Sequence, residues 1–273
     1  GIDIAVLTGG VYGYSSHPYP DFAAAVCRAY NDYMLEHWLP RDERFRLAIN
    51  VSTRDPELAA REIERAGAHP KVVEVMLSSA ATAPLGQRMF HPLYAAAEKM
   101  GLPVALHPGH EGTGVSTAPS AVGYPTRYLE WHTGISATFQ GHLLSLVCEG
   151  VFQKFPGLRV VLTEGGVSWL PALLWRFDKN WKALRSTAPW LDRKPSEIIR
   201  GRVFLTTQPI EEPADHRQLK QVFEMFDAER MLLFASDFPH WDGDTPDFAL
   251  RRLSERFKRR VRAENAVELF GLA

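Results

Sequence analysis

The sequence predicts an α/β chain on parallel strands, of the (β/α)8 or TIM barrel type, with the first strand and helix of that barrel lying outside its 273 residues. Three observations carry this prediction. Seven short apolar runs alternate with segments of helical periodicity, the signature of βαβ units. The runs are mostly apolar rather than alternating, as strands covered on both faces are. Two of them, 130 positions apart, end in a side chain able to bind a metal: Leu-Pro-Val-Ala-Leu-His107 and Leu-Leu-Phe-Ala-Ser-Asp237. In a parallel barrel, residues at the C-terminal strand ends converge on one mouth.

The strands are expected at Ile2–Leu7, Phe45–Val51, Val72–Leu77, Val104–His107, Arg159–Leu162, Val203–Thr206 and Met231–Ala235. Between the first two, Asp21–Glu36 opens on a capping candidate and carries Phe22, Val26, Tyr30 and Tyr33 at helical spacing. Asp55–Ala66 begins Asp-Pro-Glu, a cap followed by proline at the first helical position. Leu93–Met100 stops at Gly101 and Pro103. Helices are also expected at Leu143–Phe152, Leu170–Leu184, Pro213–Phe226 and Phe248–Arg260. The chain starts at Gly1 inside the first apolar run, which together with the count of seven suggests a barrel lacking its first strand. A doubly wound open sheet is the competing architecture, although the glycine fingerprint of its dinucleotide-binding form is absent. One domain over 1–273 is expected, with a long loop at about 109–133 shaping the mouth.

Composition sets the outer limits. Hydrophobic residues make up 45% and charged residues 23%, and the formal net charge is −1, so no basic field points to nucleic acid or an anionic membrane. No apolar stretch reaches the ~20 residues of a membrane span, and no leader is read at the start. Cys27 and Cys148 have no motif spacing and read as small buried hydrophobes in a reducing, cytoplasmic setting.

Chemistry is expected at the strand ends. His107 precedes Pro-Gly, and imidazole is a common metal ligand; a core histidine is the bland reading. Asp237 could bind a divalent cation and accept a proton, or simply cap a turn. Glu164, in Leu-Thr-Glu-Gly-Gly, could ligate metal or act as a base, and the two glycines allow close approach of a substrate. His240 is a substrate-binding candidate or a surface turn residue. Trp131 and His132 line the pocket or pack the loop down, and Arg127 is a candidate carboxylate anchor. Gln208 and His142 are weaker candidates. No nucleophile elbow, phosphate loop or paired Cys-x-x-Cys occurs.

These strings resemble the amidohydrolase superfamily, within it the amidohydrolase-2 group that includes aminocarboxymuconate-semialdehyde decarboxylase. The resemblance runs from Gly1-Ile-Asp-Ile-Ala-Val-Leu through Pro103-Val-Ala-Leu-His107-Pro to Ser236-Asp-Phe-Pro-His and Glu264-Asn-Ala-Val-Glu-Leu-Phe-Gly-Leu. Its most specific string is Glu149-Gly-Val-Phe-Gln-Lys-Phe-Pro-Gly-Leu-Arg-Val-Val-Leu-Thr-Glu-Gly-Gly. It implies a barrel with one divalent metal, zinc first and manganese second. It makes His107 a metal ligand and Asp237 a metal ligand or proton acceptor. The residues' own context adds Glu164 as a metal ligand, Glu164 and His132 as catalytic groups beside Asp237, and Arg127, Trp131 and His240 as substrate-binding groups. Two features depart from the family: its strand-one His-x-His pair has no counterpart in this chain, and Glu164 stands where its decarboxylases place a histidine.

The expected activity is that of a metal-dependent hydrolase or non-oxidative decarboxylase acting on a small organic acid, ester or lactone. The alternative is a catalytically silent, metal-free barrel scaffold or truncated fragment. A small-molecule substrate is expected, with no nucleic acid or membrane partner. A homo-oligomer is suggested by the resemblance alone.

Overall fold

The computed structural model describes residues 1–109, 111–112, 119–120 and 123–272, so part of the expected mouth loop lies outside the described residues. The chain forms two compact units, Gly1–Leu158 and Arg159–Ala273.

In the first unit, four strands pair in sequence order and all in parallel: β1 (Ala5–Leu7), β2 (Phe45–Asn50), β3 (Val72–Ser78) and β4 (Val104–His107). The apolar runs that announce them bury completely along β3 and β4. Register sets Ser78 beside His107. A short helix, α1 (Tyr12–Ser15), and a longer one, α2 (Pro20–Tyr33), follow β1. Proline opens α2 at its first position and Asp21 lies inside its first turn, so Tyr19 rather than Asp21 is the cap. α3 (Pro56–Ala66) starts as the sequence predicts, with the Asp55 carboxylate accepting from the Glu57 and Leu58 amides. A buried polar knot ties these layers: the Asn31 amide donates to Asn50 O at 2.9 Å and Glu62 Oε1 at 2.8 Å, and accepts from Asn50 N at 2.8 Å.

α4 (His91–Met100) ends at Gly101 in the left-handed region, φ 69°. A helix expected at Leu143–Phe152 is instead split into α6 (Ser136–Cys148) and α7 (Val151–Lys154), because Gly150 turns left-handed between them. α5 (Tyr128–Gly134) occupies the end of the stretch expected to be loop. Phe90, Leu93, Tyr94 and Phe139 fill the core of this unit. Cys27 is buried as expected, but Cys148 is exposed at the last position of α6.

The second unit repeats the alternation. β5 (Val160–Leu162), β6 (Val203–Thr206) and β7 (Leu232–Leu233) pair in order and in parallel. α8 (Leu170–Leu184) matches its expected range. α9 (Pro195–Ile199) precedes β6, and α10 (His216–Met225) begins three residues late because Asp215, not the segment around Pro213, supplies the cap. β7 is shorter than the apolar run that predicts it, since Met231 closes α11 (Ala228–Met231). The helix expected at Phe248–Arg260 is two pieces, α12 (Pro246–Ala249) and α13 (Glu255–Arg259). Each has its own side-chain cap, Thr245 and Ser254, and Arg252 takes a positive φ between them. α14 (Asn265–Phe270) is fastened to β7 by the buried Asn265 amide, which donates to Glu229 O and Leu232 O. Among the described residues no helix is long and apolar enough to cross a membrane.

Candidate active site

In the first unit the polar residues collect at the C-terminal strand ends. His107, the last residue of β4, is buried and stacks on Tyr12 of α1, ring centroids 4.0 Å apart and planes 15° apart. Its Nδ1 is 2.8 Å from Pro108 O. A carbonyl only accepts, so Nδ1 carries the proton, and in the neutral ring Nε2 then holds the lone pair with which imidazole binds a cation. Ser78 ends β3 and Ser79 follows it. Ser78 Oγ is 3.0 Å from Ser16 Oγ, and the Ser79 amide donates to His107 O at 2.8 Å. Ser79 Oγ also bonds the carboxylate of buried Glu111.

His142 lies beneath this group. Its Nε2–H donates to Ser79 O at 2.8 Å and its Nδ1 accepts from Leu85 N at 3.2 Å. Burial holds its pKa below the ordinary histidine value. A neutral ring bonded on both nitrogens is a structural tie.

In the second unit Glu164 follows β5 on a tight turn. Its backbone is left-handed, φ 62°, and its amide donates to Thr206 Oγ1 at 3.0 Å. The turn is held from below by Glu211, which accepts from Val167 N and Ser168 N at 2.9 and 2.8 Å. Gly166 is required there, because its φ is +68° and a Cβ would lie 2.8 Å from Glu211 Oε1.

Asp237, also left-handed at φ 51°, is gripped from two sides. His240 Nδ1 is 2.7 Å from its Oδ2, and the fully buried Gln208 amide donates to the same oxygen at 3.1 Å. Burial, and next the charge of Glu164, push the Asp237 carboxyl up to about 6 against the pull of His240. The Glu164 carboxylate therefore lies near enough to Asp237 to disfavour its ionised form. Asp237, His240 and Asp242 offer ligand atoms within 4.8 Å of one another.

The structure thus gathers three of the expected residues in this unit: Glu164, Asp237 and His240. Trp131 and His132 lie together on α5, each 5.5 Å from the Tyr128 ring, while Arg127 caps that helix from an exposed position. Sequence reasoning missed Tyr12, Ser79, Glu111 and Asp242, and undervalued Gln208. The available signal was a Ser-Ser pair ending an apolar strand, the same position that Asp237 marks after β7. Glu111 had none.

Residues 11–272 match the family model described as Amidohydrolase. The chain is 25% identical to the gamma-resorcylate decarboxylase of Rhodococcus jostii (strain RHA1), across 99% of this chain and 84% of that protein. It is similar to the crystal structure of 5-carboxyvanillate decarboxylase from Sphingomonas paucimobilis, with TM-score 0.73 and 25% identity over 99% of this chain and 78% of the other. A dihydroxybenzoic acid decarboxylase from Polaromonas sp. JS666, solved with bound manganese and the inhibitor 2-nitroresorcinol, shares the fold at TM-score 0.78. That likeness is 22% identical and covers 100% and 82% of the two chains.

Proposed function

The chain belongs to the amidohydrolase family, and on that footing we propose that it is a metal-dependent, non-oxidative decarboxylase of a small aromatic acid. The observation that carries the proposal is likeness to aromatic-acid decarboxylases along 99% of the chain. Hydrolysis of an ester or lactone has no comparable support. The closed (β/α)8 barrel is part of the same proposal.

The donor chemistry fits a divalent cation. His107 presents its Nε2 lone pair, and Asp237 sits in a nest of carboxylate and imidazole groups. One imidazole with carboxylate oxygens suits manganese as well as zinc. Since a solved relative holds manganese, manganese replaces zinc as the first metal to test. His107, Asp237 and Glu164 are the proposed ligands. When bound, such an ion supplies positive charge that anchors an anionic acid and steadies charge developing on it.

The chain's own groups handle the substrate and the proton. Loss of carbon dioxide leaves the bonding electron pair on the ring carbon, and a proton fills the vacated position, so no oxidant is needed. Asp237 and Glu164 are the proposed proton-handling groups, assisted by His132. Arg127, Trp131 and His240 are the proposed substrate-binding side chains. A homo-oligomer belongs to the proposal too, supported by exposed Trp175, Leu184 and Trp190, with a sedimentation velocity run above monomer mass as its check. The two cysteines, Cys27 buried and Cys148 exposed, are consistent with the cytoplasmic setting.

The test is steady-state kinetics on 2,6-dihydroxybenzoate with manganese-loaded protein. His107→Ala and Asp237→Asn are each expected to lower kcat/KM by about 10²–10⁴-fold, the usual contribution of a proton-handling or charge-placing group. Variants that retained full activity would sink the assignment of these residues.

A further inference from the structure

A second carboxylate stands behind His107. The carbonyl that accepts from His107 Nδ1 belongs to the Pro108–Gly109 peptide unit. On the other side of that same unit, the Gly109 N–H donates to Glu111 Oε2 at 3.0 Å. Glu111 is only 4% exposed, and its Oε1 is bonded by Ser79 Oγ. Ser79 Oγ in turn lies 3.0 Å from His107 O, the oxygen that also receives the Ser79 amide. Gly109 itself packs closely on β3, since a Cβ added to it would lie 1.7 Å from Ser78 Oγ.

We propose that Glu111 is a positioning residue that acts on His107 through the intervening peptide, a carboxylate–peptide–histidine relay. The inference rests on reading His107 as a cation ligand. The physics is that of polarised hydrogen-bond chains. An anion on the N–H side of a peptide draws its proton and leaves the carbonyl oxygen more negative. That oxygen holds Nδ1–H of His107 more firmly, fixing the tautomer and the ring plane and making Nε2 a better electron-pair donor. Carboxylates commonly do this to a ligating imidazole by direct contact; here one peptide unit stands between.

A loop staple is the simpler role for Glu111, and Glu111→Gln separates the two. The glutamine oxygen still accepts from Gly109 N–H, and its amide donates to Ser79 Oγ, so a staple survives. Only the charge is lost. The experiment compares wild type, Glu111→Gln and Glu111→Ala by calorimetric titration with manganese chloride. In parallel, histidine ¹⁵N–¹H spectra of the metal-free proteins read the His107 Nδ1–H proton. Circular dichroism verifies folding.

Manganese affinity is expected to fall about 10–100-fold in Glu111→Ala, the range found when the partner of a ligating histidine is removed, and by a smaller factor in Glu111→Gln. The His107 Nδ1–H resonance should move upfield in both. Folded Glu111→Gln with wild-type affinity and an unmoved resonance overturns the relay and leaves a staple. If Glu111→Ala does not fold, Glu111→Gln still decides. Wild type that binds no manganese would sink the reading of His107 as a ligand, while the metal-free resonance would still decide the relay.

Discussion

Glu164 and Asp237 hold their backbones at φ +62° and +51°, a region that costs a residue with a Cβ about 1–2 kcal/mol. Strain of this kind survives where surrounding structure over-determines it, and it gathers at working sites. Here Thr206, Gln208 and His240 supply the determination. The residue types at these positions were legible in the sequence, because an apolar run that ends in His or Asp announces a strand end. The strain was not, since it arises from contacts with distant turns. Glu111 was illegible for the same reason: its carboxylate meets Ser79, 32 positions away in sequence.

Glu74 offers a separate check at this scale. It lies buried in β3, and its Oε1 has no hydrogen-bond partner among the described residues. Burial raises its carboxyl from 4.5 to about 8. Between those values the folded protein keeps a proton that the unfolded chain has released, so stability falls as pH rises. The contribution is fully present below about 4.5 and is lost as pH climbs through about 8. Glu74→Gln has no such proton to lose. Urea midpoints for wild type should therefore drop relative to Glu74→Gln from pH 5 to pH 8, and parallel curves would refute the assignment.

Elements were more legible in type than in extent. The Asp55-Pro-Glu start of α3 and the Gly101 stop of α4 are local chemistry, so the sequence displays them. The breaks at Gly150 and Arg252 were missed because periodicity runs on across them. α5 was hidden in a polar stretch whose apolar residues are mostly aromatic. Two stability predictions belong to elements. Asn31→Ala strips partners from a buried strand amide, a carbonyl and Glu62 together, and should cost about 2–3 kcal/mol in chemical denaturation. Asp55→Ala removes a cap that serves two amides and should cost about 1 kcal/mol. A loss for Asp55→Ala that exceeded the loss for Asn31→Ala would show that the cap, and not the buried knot, holds α3 in place.

For the molecule as a whole, alternation of strand and helix, the parallel sense of pairing and the family were all readable from one sequence. Each depends on short-range pattern repeated along the chain. The choice between decarboxylation and hydrolysis was not readable, because both reactions use the same ligand types at the same strand ends. Likeness to relatives over nearly the full chain is what favours decarboxylation. The most direct test is product analysis in heavy water. The manganese-loaded protein is incubated with a panel of ortho-hydroxybenzoates, phenyl esters and aromatic lactones. The account predicts carbon dioxide together with an arene carrying one deuterium where the carboxylate stood. Manganese-dependent cleavage of the esters or lactones, with every carboxylate left intact, would contradict it.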